Sequence, residues 1–330
     1  MRIPRLVKET LRPARDSFYL MGGVLYDAWR FLVHSGIWFK SNAIKRDYKA
    51  VKIYHRMEKS LCFRNRKPTS GWDAACDFVH LLENKRDGND SLLFHELVGL
   101  KVLDCFTQNS TITSDEHVRV VEYLKENADF SKSQAQGGVQ PLKARDVQLG
   151  VLESPEQFFM SRHSVRDFKN LTVNKEIIDR ALSLALKTPS VCNRQAWFVY
   201  HLDSRSQIDE ALTLQNGNKG FGHEVPCLLI ITADLSAFDA ANERYQHWID
   251  GGMFAMSLVL SLHSLGLSSC CLNWDQGPIN DLRLRTTIPL KKRHTVIMML
   301  AVGYQNDEIK VCYSARKPLA DYYEHLGDAE

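Results

Sequence analysis

From Ile249 to Leu262 the chain is apolar on nearly every side of a helix, with Met253, Phe254, Met256, Leu258, Val259 and Leu260 leaving no continuous polar face. Such a helix has to be covered all round, by the core of its own domain and by a subunit interface. That demand sets what the flanking segments must be. Residues 226–232 read as a buried strand, 197–202 as a second, 268–274 as a strand or turn, and 295–304 as a strand ending at Gly303. Helices are expected at 206–213, 242–265 (closed by Gly266) and 278–286, while the loop 215–222, rich in Gly and Asn, is expected to be mobile. Strands and helices mixed in this way define an α+β domain.

Upstream, residues 174–187 read as a helix with Asn174 as its N-cap and Ile177, Ile178, Ala181, Leu182, Ala185 and Leu186 on one face. A short helix at 154–160 leads into the polar segment Ser161-Arg162-His163-Ser164-Val165-Arg166-Asp167-Phe168. Two arginines four residues apart, with a histidine and a hydroxyl between them, offer charged and neutral donors at a spacing suited to one phosphate. On its own such an octamer is more often a solvated cap or an ordinary ion-pair site. The second polar segment, Thr188-Pro189-Ser190-Val191-Cys192-Asn193-Arg194-Gln195-Ala196-Trp197, leads straight into the first strand.

In this order and spacing the two segments resemble the paired motifs of the nitroreductase family of FMN-dependent oxidoreductases. The likeness continues through Asp250-Gly251-Gly252, Leu265-Gly266-Leu267, Ala301-Val302-Gly303-Tyr304 and Ser314-Ala315-Arg316-Lys317-Pro318-Leu319, so it spans residues 156–323. It implies a nitroreductase-like three-layer α+β fold with a central mixed, mainly antiparallel sheet, preceded here by an all-helical region. It also implies a homodimer that buries its flavin at the subunit interface.

Carried over position by position, Arg162 and Arg316 resemble the family's phosphate ligands, and His163 and Ser164 add donors to the phosphate and ribityl chain. Arg166 matches a basic residue near the flavin ring. Pro189 and Ser190 belong to the second motif, in which Asn193 and Gln195 would hydrogen-bond the ring's pyrimidine edge. The main chain of Leu272, Asn273 and Trp274 corresponds to the stretch that approaches the flavin N5. Two departures stand out: Ala196 replaces a proline, and Asn273-Trp274 replaces small or acidic residues, which reshapes or plugs the substrate side. The implied reaction passes hydride or electrons from NADH or NADPH, through the flavin, to a small electrophilic acceptor, with no protein side chain carrying the chemistry. The contrasting reading is a non-catalytic flavin-binding or scaffold protein of a membrane-proximal assembly.

The first 150 residues divide into a basic and apolar arm (1–45), a helical region (46–127) and a linker (128–150), ahead of the flavin-type domain at 151–330. Helices are expected at 48–61, at 72–85, at 91–106 after an Asn89-Asp90 cap, and at 115–125 after Ser114. His55 and Glu58 read as a surface hydrogen-bond pair. The run His55-Arg56-Met57-Glu58-Lys59 is similar to an N-terminal extension of nitroreductase-like proteins from bacterial surface-polysaccharide clusters, with a departure at Ser70-Gly71-Trp72.

Residues 1–70 hold 16 Lys and Arg against 5 Asp and Glu, so a chain of net charge +3 is acidic beyond them. No nucleic-acid reading module accompanies this basic stretch, which makes nucleic acid a disfavoured partner. Residues 17–39 are apolar, but Asp27, Arg30 and His34 interrupt them, so they do not read as a spanning helix. The arm either packs on the body or a partner subunit, or lies on a membrane surface with Trp29 and Trp38 flanked by basic residues. No cleavage-site pattern follows a short apolar core. The eight cysteines form no C-x-x-C pair and no metal spacing, which points to a reducing, cytoplasmic setting, with peripheral attachment to the inner face of the membrane as the alternative for the arm.

Overall fold

The computed structural model describes residues 5–37, 42–84 and 91–327. Five helices come first: α1 (Arg5–His34), α2 (Ala43–Cys62), α3 (Trp72–Glu83), α4 (Phe94–Gln108) and α5 (Asp115–Glu126). Local chemistry fixes several of their starts. The Asn42 side chain accepts the Lys45 N–H at 3.0 Å, and Ser114 accepts from His117 at 3.3 Å. Helix α4 starts later than the Asn89-Asp90 cap requires, and that cap lies outside the described residues. The start moves to Phe94 because the Glu96 carboxylate reaches back to accept the Leu93 N–H at 3.0 Å. In α1 neither Pro13 nor Gly22-Gly23 interrupts the helix.

Helices α2 to α5 enclose their own core of Val51, Tyr54, Met57, Trp72, Phe78, Leu103 and Phe106. Each of these large apolar side chains contributes on the order of 1.5–3 kcal/mol by burial. Gly99 lets α4 and α3 close up, since a Cβ there would stand 2.2 Å from the Phe78 ring. The stretch read as a linker is partly docked on this core. Phe130, in a 3-10 turn at Ala128–Lys132, is buried against it, and Gly137 sits so close to α4 that a Cβ would meet the Val98 carbonyl at 2.6 Å.

Two short helices, α6 (Ala144–Gln148) and α7 (Pro155–Ser161), lead into the C-terminal region, where α8 (Lys175–Ala185), β1 (Trp197–Leu202), α9 (Arg205–Thr213), β2 (Cys227–Asp234), α10 (Gln246–Ser264), β3 (Ser268–Asn273), α11 (Pro278–Thr287) and β4 (His294–Gly303) follow. The four strands pair antiparallel in the order β1-β2-β4-β3. Among the described residues the parallel contribution to this sheet is a single bridge between Ser164 and Ser269.

Alternation along the strands builds two apolar layers. Leu228, Ile230, Met299 and Ala301 face α9 and α11, while Leu229, Ile231, Ile297 and Val302 face α8 and α10. The result is a helix, sheet, helix sandwich. At Gly251 a Cβ would lie 2.7 Å from the Ile297 side chain, so glycine allows α10 to press on β4.

Helix α10 departs from its sequence expectation at its start, where residues 241–243 form a separate 3-10 turn, and in the single chain one face is buried, through Phe254, Leu258 and Leu262. On the other face Ile249, Met253 and Met256 are exposed. The N-terminal helices dock at the end of the sheet where β4 begins. There Phe31 joins Ala196, Leu235, Ala237 and Phe238 in a small apolar cluster, and Arg30 donates to the His294 carbonyl at 2.7 Å.

Candidate functional site

Helix α7 is tied to α10 by Ser161 and His263, 2.9 Å apart. The chain then runs beside the open edge of β3. The Val165 N–H donates to the Ser269 carbonyl at 3.1 Å, and the Lys169 N–H donates to the Tyr304 carbonyl at 2.8 Å. Val165 and Phe168 are buried in the layer under α9 and α11 and act as anchors. The polar residues between them are left open.

Among the described residues the side chains of Arg162, His163 and Ser164 make no hydrogen bond and no ion pair. Arg166 lies near the C-terminal tail, 3.8 Å from the Cys312 sulfur, and also donates to the Ser164 carbonyl at 3.4 Å. Burial pushes the thiols of Cys270 and Cys271 up, while the charge of Arg166 opposes this at the first and that of Arg162 at the second. The two guanidinium groups are thus next to β3. Arg316 sits further along the exposed tail and bonds only its own neighbour, the Ser314 carbonyl, so the single chain does not bring it to Arg162.

The edge of β3 continues the site. Because the Ser269 carbonyl points away from β4, the two-residue alternation turns the Asn273 N–H and carbonyl to the same open edge. Gln215 donates to that carbonyl at 2.9 Å. This contact corrects the reading of 215–222 as a mobile loop. Gln215 and Phe221 are buried, and the Asn218 amide donates to the carbonyls of Leu212 and Gln215 at 2.7 and 2.6 Å. Leu272 and Trp274 turn inward to the same core layer. Trp274 also borders a cavity of about 240 Å³ shared with Tyr26, Asp27 and Arg30 of α1 and with Trp248.

The turn at 189–195 is a different kind of structure. Cys192, Asn193 and Gln195 have φ of 50°, 54° and 50°, in the left-handed region. For residues with a Cβ this costs about 1–2 kcal/mol each and persists only where the surroundings impose it. Arg194, 1% exposed, imposes it here, donating to the Ala237 carbonyl at 2.6 Å and pairing with Glu243. Burial works to raise the Glu243 carboxyl, yet the Arg194 guanidinium holds it below its usual value. The Val191 N–H donates to the Asp250 carboxylate at 3.3 Å, and the Gln195 N–H to the Ser190 hydroxyl at 3.0 Å. Burial raises the Asp250 carboxyl. Pro189 and the Asn193 side chain stay exposed, and the Gln195 amide donates to the Asn193 carbonyl at 3.2 Å.

One chain does not bring the two halves together. Ser269 pairs with Val302 on β4, whereas Trp197 pairs with Ala233, which pairs with Thr295. Those two positions on β4 are about 23 Å apart at ~3.3 Å per residue. The arginine segment and the turn therefore occupy opposite ends, and opposite edges, of the sheet.

Sequence reasoning did not single out Arg194, Glu243, Asp250 or Gln215. An arginine inside a polar turn looks solvated until Glu243, remote in sequence, is folded against it. The four antiparallel strands and their two helical layers, with an arginine-lined open edge, define an α+β fold of nitroreductase type. Residues 159–214 and 206–304, under half of the chain, match the model of the Nitroreductase family.

The fold is similar to an FMN-dependent nitroreductase from Clostridium difficile (21% identity, 52% of this chain and 99% of that one, TM-score 0.45). It is also similar to a nitroreductase family protein from Streptococcus pneumoniae (17%, 52% and 98%, TM-score 0.43). No curated protein matches the chain.

Proposed function

We propose that the protein is an FMN-dependent oxidoreductase that acts as a homodimer, taking electrons from NADH or NADPH and delivering them to a small electrophilic acceptor. The observation that carries this reading is the set of unclaimed donors at the edge of β3. Arg162, His163 and Ser164 are held in place by the buried Val165 and Phe168, yet their own side chains have no partner among the described residues. Donors that a fold positions and does not use fit a bound anion.

FMN, when bound, supplies reversible two-electron chemistry. The protein's part is to bind and orient. Arg162 and Arg316 would hold the phosphate, with His163 and Ser164 on the phosphate and ribityl chain. Arg166 would set the charge beside the ring, and the outward N–H of Asn273 would fix the ring's position without titrating. Asn193 and Gln195 would meet the pyrimidine edge, and Pro189 and Ser190 shape that turn. Since this turn is at the far end of the sheet, a second copy has to supply it, and the exposed Ile249, Met253 and Met256 of α10 offer an apolar surface for that copy. The cavity shared by Trp274 and α1 gives the N-terminal region a share in shaping the acceptor side. An acceptor from surface-polysaccharide metabolism accords with the resemblance around His55 and Glu58.

The test is an absorbance spectrum of the purified protein with the released cofactor identified by mass, followed by anaerobic addition of NADH and NADPH. Released FMN that bleaches with a nicotinamide donor and recovers with an acceptor is the expected result. A colourless protein that does not take up added FMN overturns the reading in favour of a non-catalytic role.

A further inference from the structure

Helix α1 meets the body of the protein with Phe31 near its C-terminal end and with a set of polar side chains before it. The Tyr26 hydroxyl donates to Asp281 at 2.7 Å, and the Arg30 guanidinium, almost fully buried, donates to the Lys292 and His294 carbonyls at 3.1 and 2.7 Å. An amphipathic helix of a globular protein ordinarily does the opposite and turns its apolar stripe inward.

In α1 that stripe faces away. Phe18, Met21, Leu25 and Trp29 recur at helical spacing and are 78%, 61%, 63% and 56% exposed. Their mean direction is roughly 115° around the helix from Tyr26 and Arg30. Val24 and Leu20, also exposed, widen the apolar surface, while the exposed Tyr19 lies on the side of Tyr26 and Arg30. From residue 13 to residue 25 every position is exposed except the half-buried Gly23, so this part of the helix projects past the body. Along the same helix Arg5, Lys8, Arg12 and Arg15 recur at spacings of three, four and three residues. At ~100° per residue that row falls on the side of Tyr26 and Arg30. Tyr26, Arg30 and this row of sequence positions share one side of the helix, and Phe18, Met21, Leu25 and Trp29 lie on another.

We infer that α1 lies in the plane of an anionic lipid surface, with Phe18, Met21, Leu25 and Trp29 inserted and the body held above it on the polar face. This is the arrangement of an interfacial helix: cations on the polar face, Phe, Leu and Trp on the other, and attraction to anionic headgroups. The charge distribution agrees, with 16 Lys and Arg against 5 Asp and Glu in residues 1–70. A second copy is the competing occupant, but α10 already offers that copy an apolar surface elsewhere on the molecule. No described helix is long and apolar enough to cross a membrane, so the contact is one of lying on the surface. The inference does not need a bound flavin, and it rests on the proposed homodimer only where it assigns the α10 surface to the second copy.

The test is flotation of the full-length protein with vesicles of phosphatidylcholine alone and of phosphatidylcholine mixed with phosphatidylglycerol. Binding on the order of tenfold or more stronger to the anionic vesicles, weakened by salt, is expected. The double variant Phe18→Ser/Leu25→Ser should lose it. Both side chains are mostly exposed, so the variant's melting temperature should stay near the wild-type value. Arg12→Glu/Arg15→Glu should abolish the preference for anionic vesicles. Absence of binding to both vesicles, equal binding to both, or undiminished binding by the Phe18/Leu25 variant overturns the inference. So does a protein that ignores vesicles and forms an oligomer which that variant dissociates, since a second copy then covers the stripe.

Discussion

The arginine segment and the strained turn supply the two halves of the proposed flavin site, and they are built on opposite plans. In the turn the backbone and charges are claimed from within: Arg194 by Glu243 and the Ala237 carbonyl, Val191 by Asp250, Gln195 by Ser190. In the segment, Val165 and Phe168 are buried while the side chains of Arg162, His163 and Ser164 have no partner among the described residues. The turn secures its shape by internal pairing and bears its strain with or without a ligand. The segment keeps its binding capacity in reserve, as a site for an anion must. Preorganisation by strain and preorganisation by withheld donors are separable, and substitutions should separate them.

The largest effect is expected at Arg194. Arg194→Met leaves the Glu243 carboxylate without its partner in a mostly buried site, which should cost about 3–5 kcal/mol in urea denaturation at neutral pH. The same measurement has a pH signature. Glu243 is held below its usual value of 4.5, so its contribution is present above that pH and lost as the pH falls through the depressed value. The wild-type and variant stabilities should therefore converge in acid. A variant within about 1 kcal/mol of wild type at neutral pH breaks the contrast, because the turn would then not depend on its internal pair.

Arg162→Ala should behave in the reverse way. The melting temperature of the FMN-free protein is expected to be unchanged, while FMN affinity measured by fluorescence titration falls by roughly ten- to a hundredfold, the worth of a charge-assisted hydrogen bond or two. A drop in the FMN-free melting temperature would show that the segment is structural. The smallest effect is at Cys192, whose φ of 50° is one that glycine adopts freely. Cys192→Gly should stabilise the protein by a few tenths to about 1 kcal/mol, strain relief being partly offset by the freer unfolded chain. Destabilisation would mean that the half-buried Cys192 side chain contributes more than its backbone costs.

Much of this was legible in the sequence. Strand β1 falls on the residues expected of it, α8 carries the Asn174 cap, with the Glu176 N–H donating to it at 2.8 Å, and β2, β4 and α11 differ from expectation only at their ends. Periodicity and caps are local, so they survive without tertiary context. The errors share the opposite character. The loop at 215–222 looks mobile by composition and is pinned because Gln215 finds the Asn273 carbonyl, remote in sequence. The stretch 128–150 looks like a linker, yet Phe130 is buried on the helical core.

The sequence by itself determined most of the elements, the α+β class and the donor-rich composition of residues 161–168, because these depend on neighbours within a few positions. Only the tertiary structure decided that Arg162 and Asn193 lie at opposite ends of the sheet, that Arg194 is a buried strut, and that α1 turns its apolar face outward. Those outcomes depend on which distant groups meet across the fold. The pairing energy of Arg194 with Glu243, or of Arg30 with the His294 carbonyl, appears in no local pattern of residues.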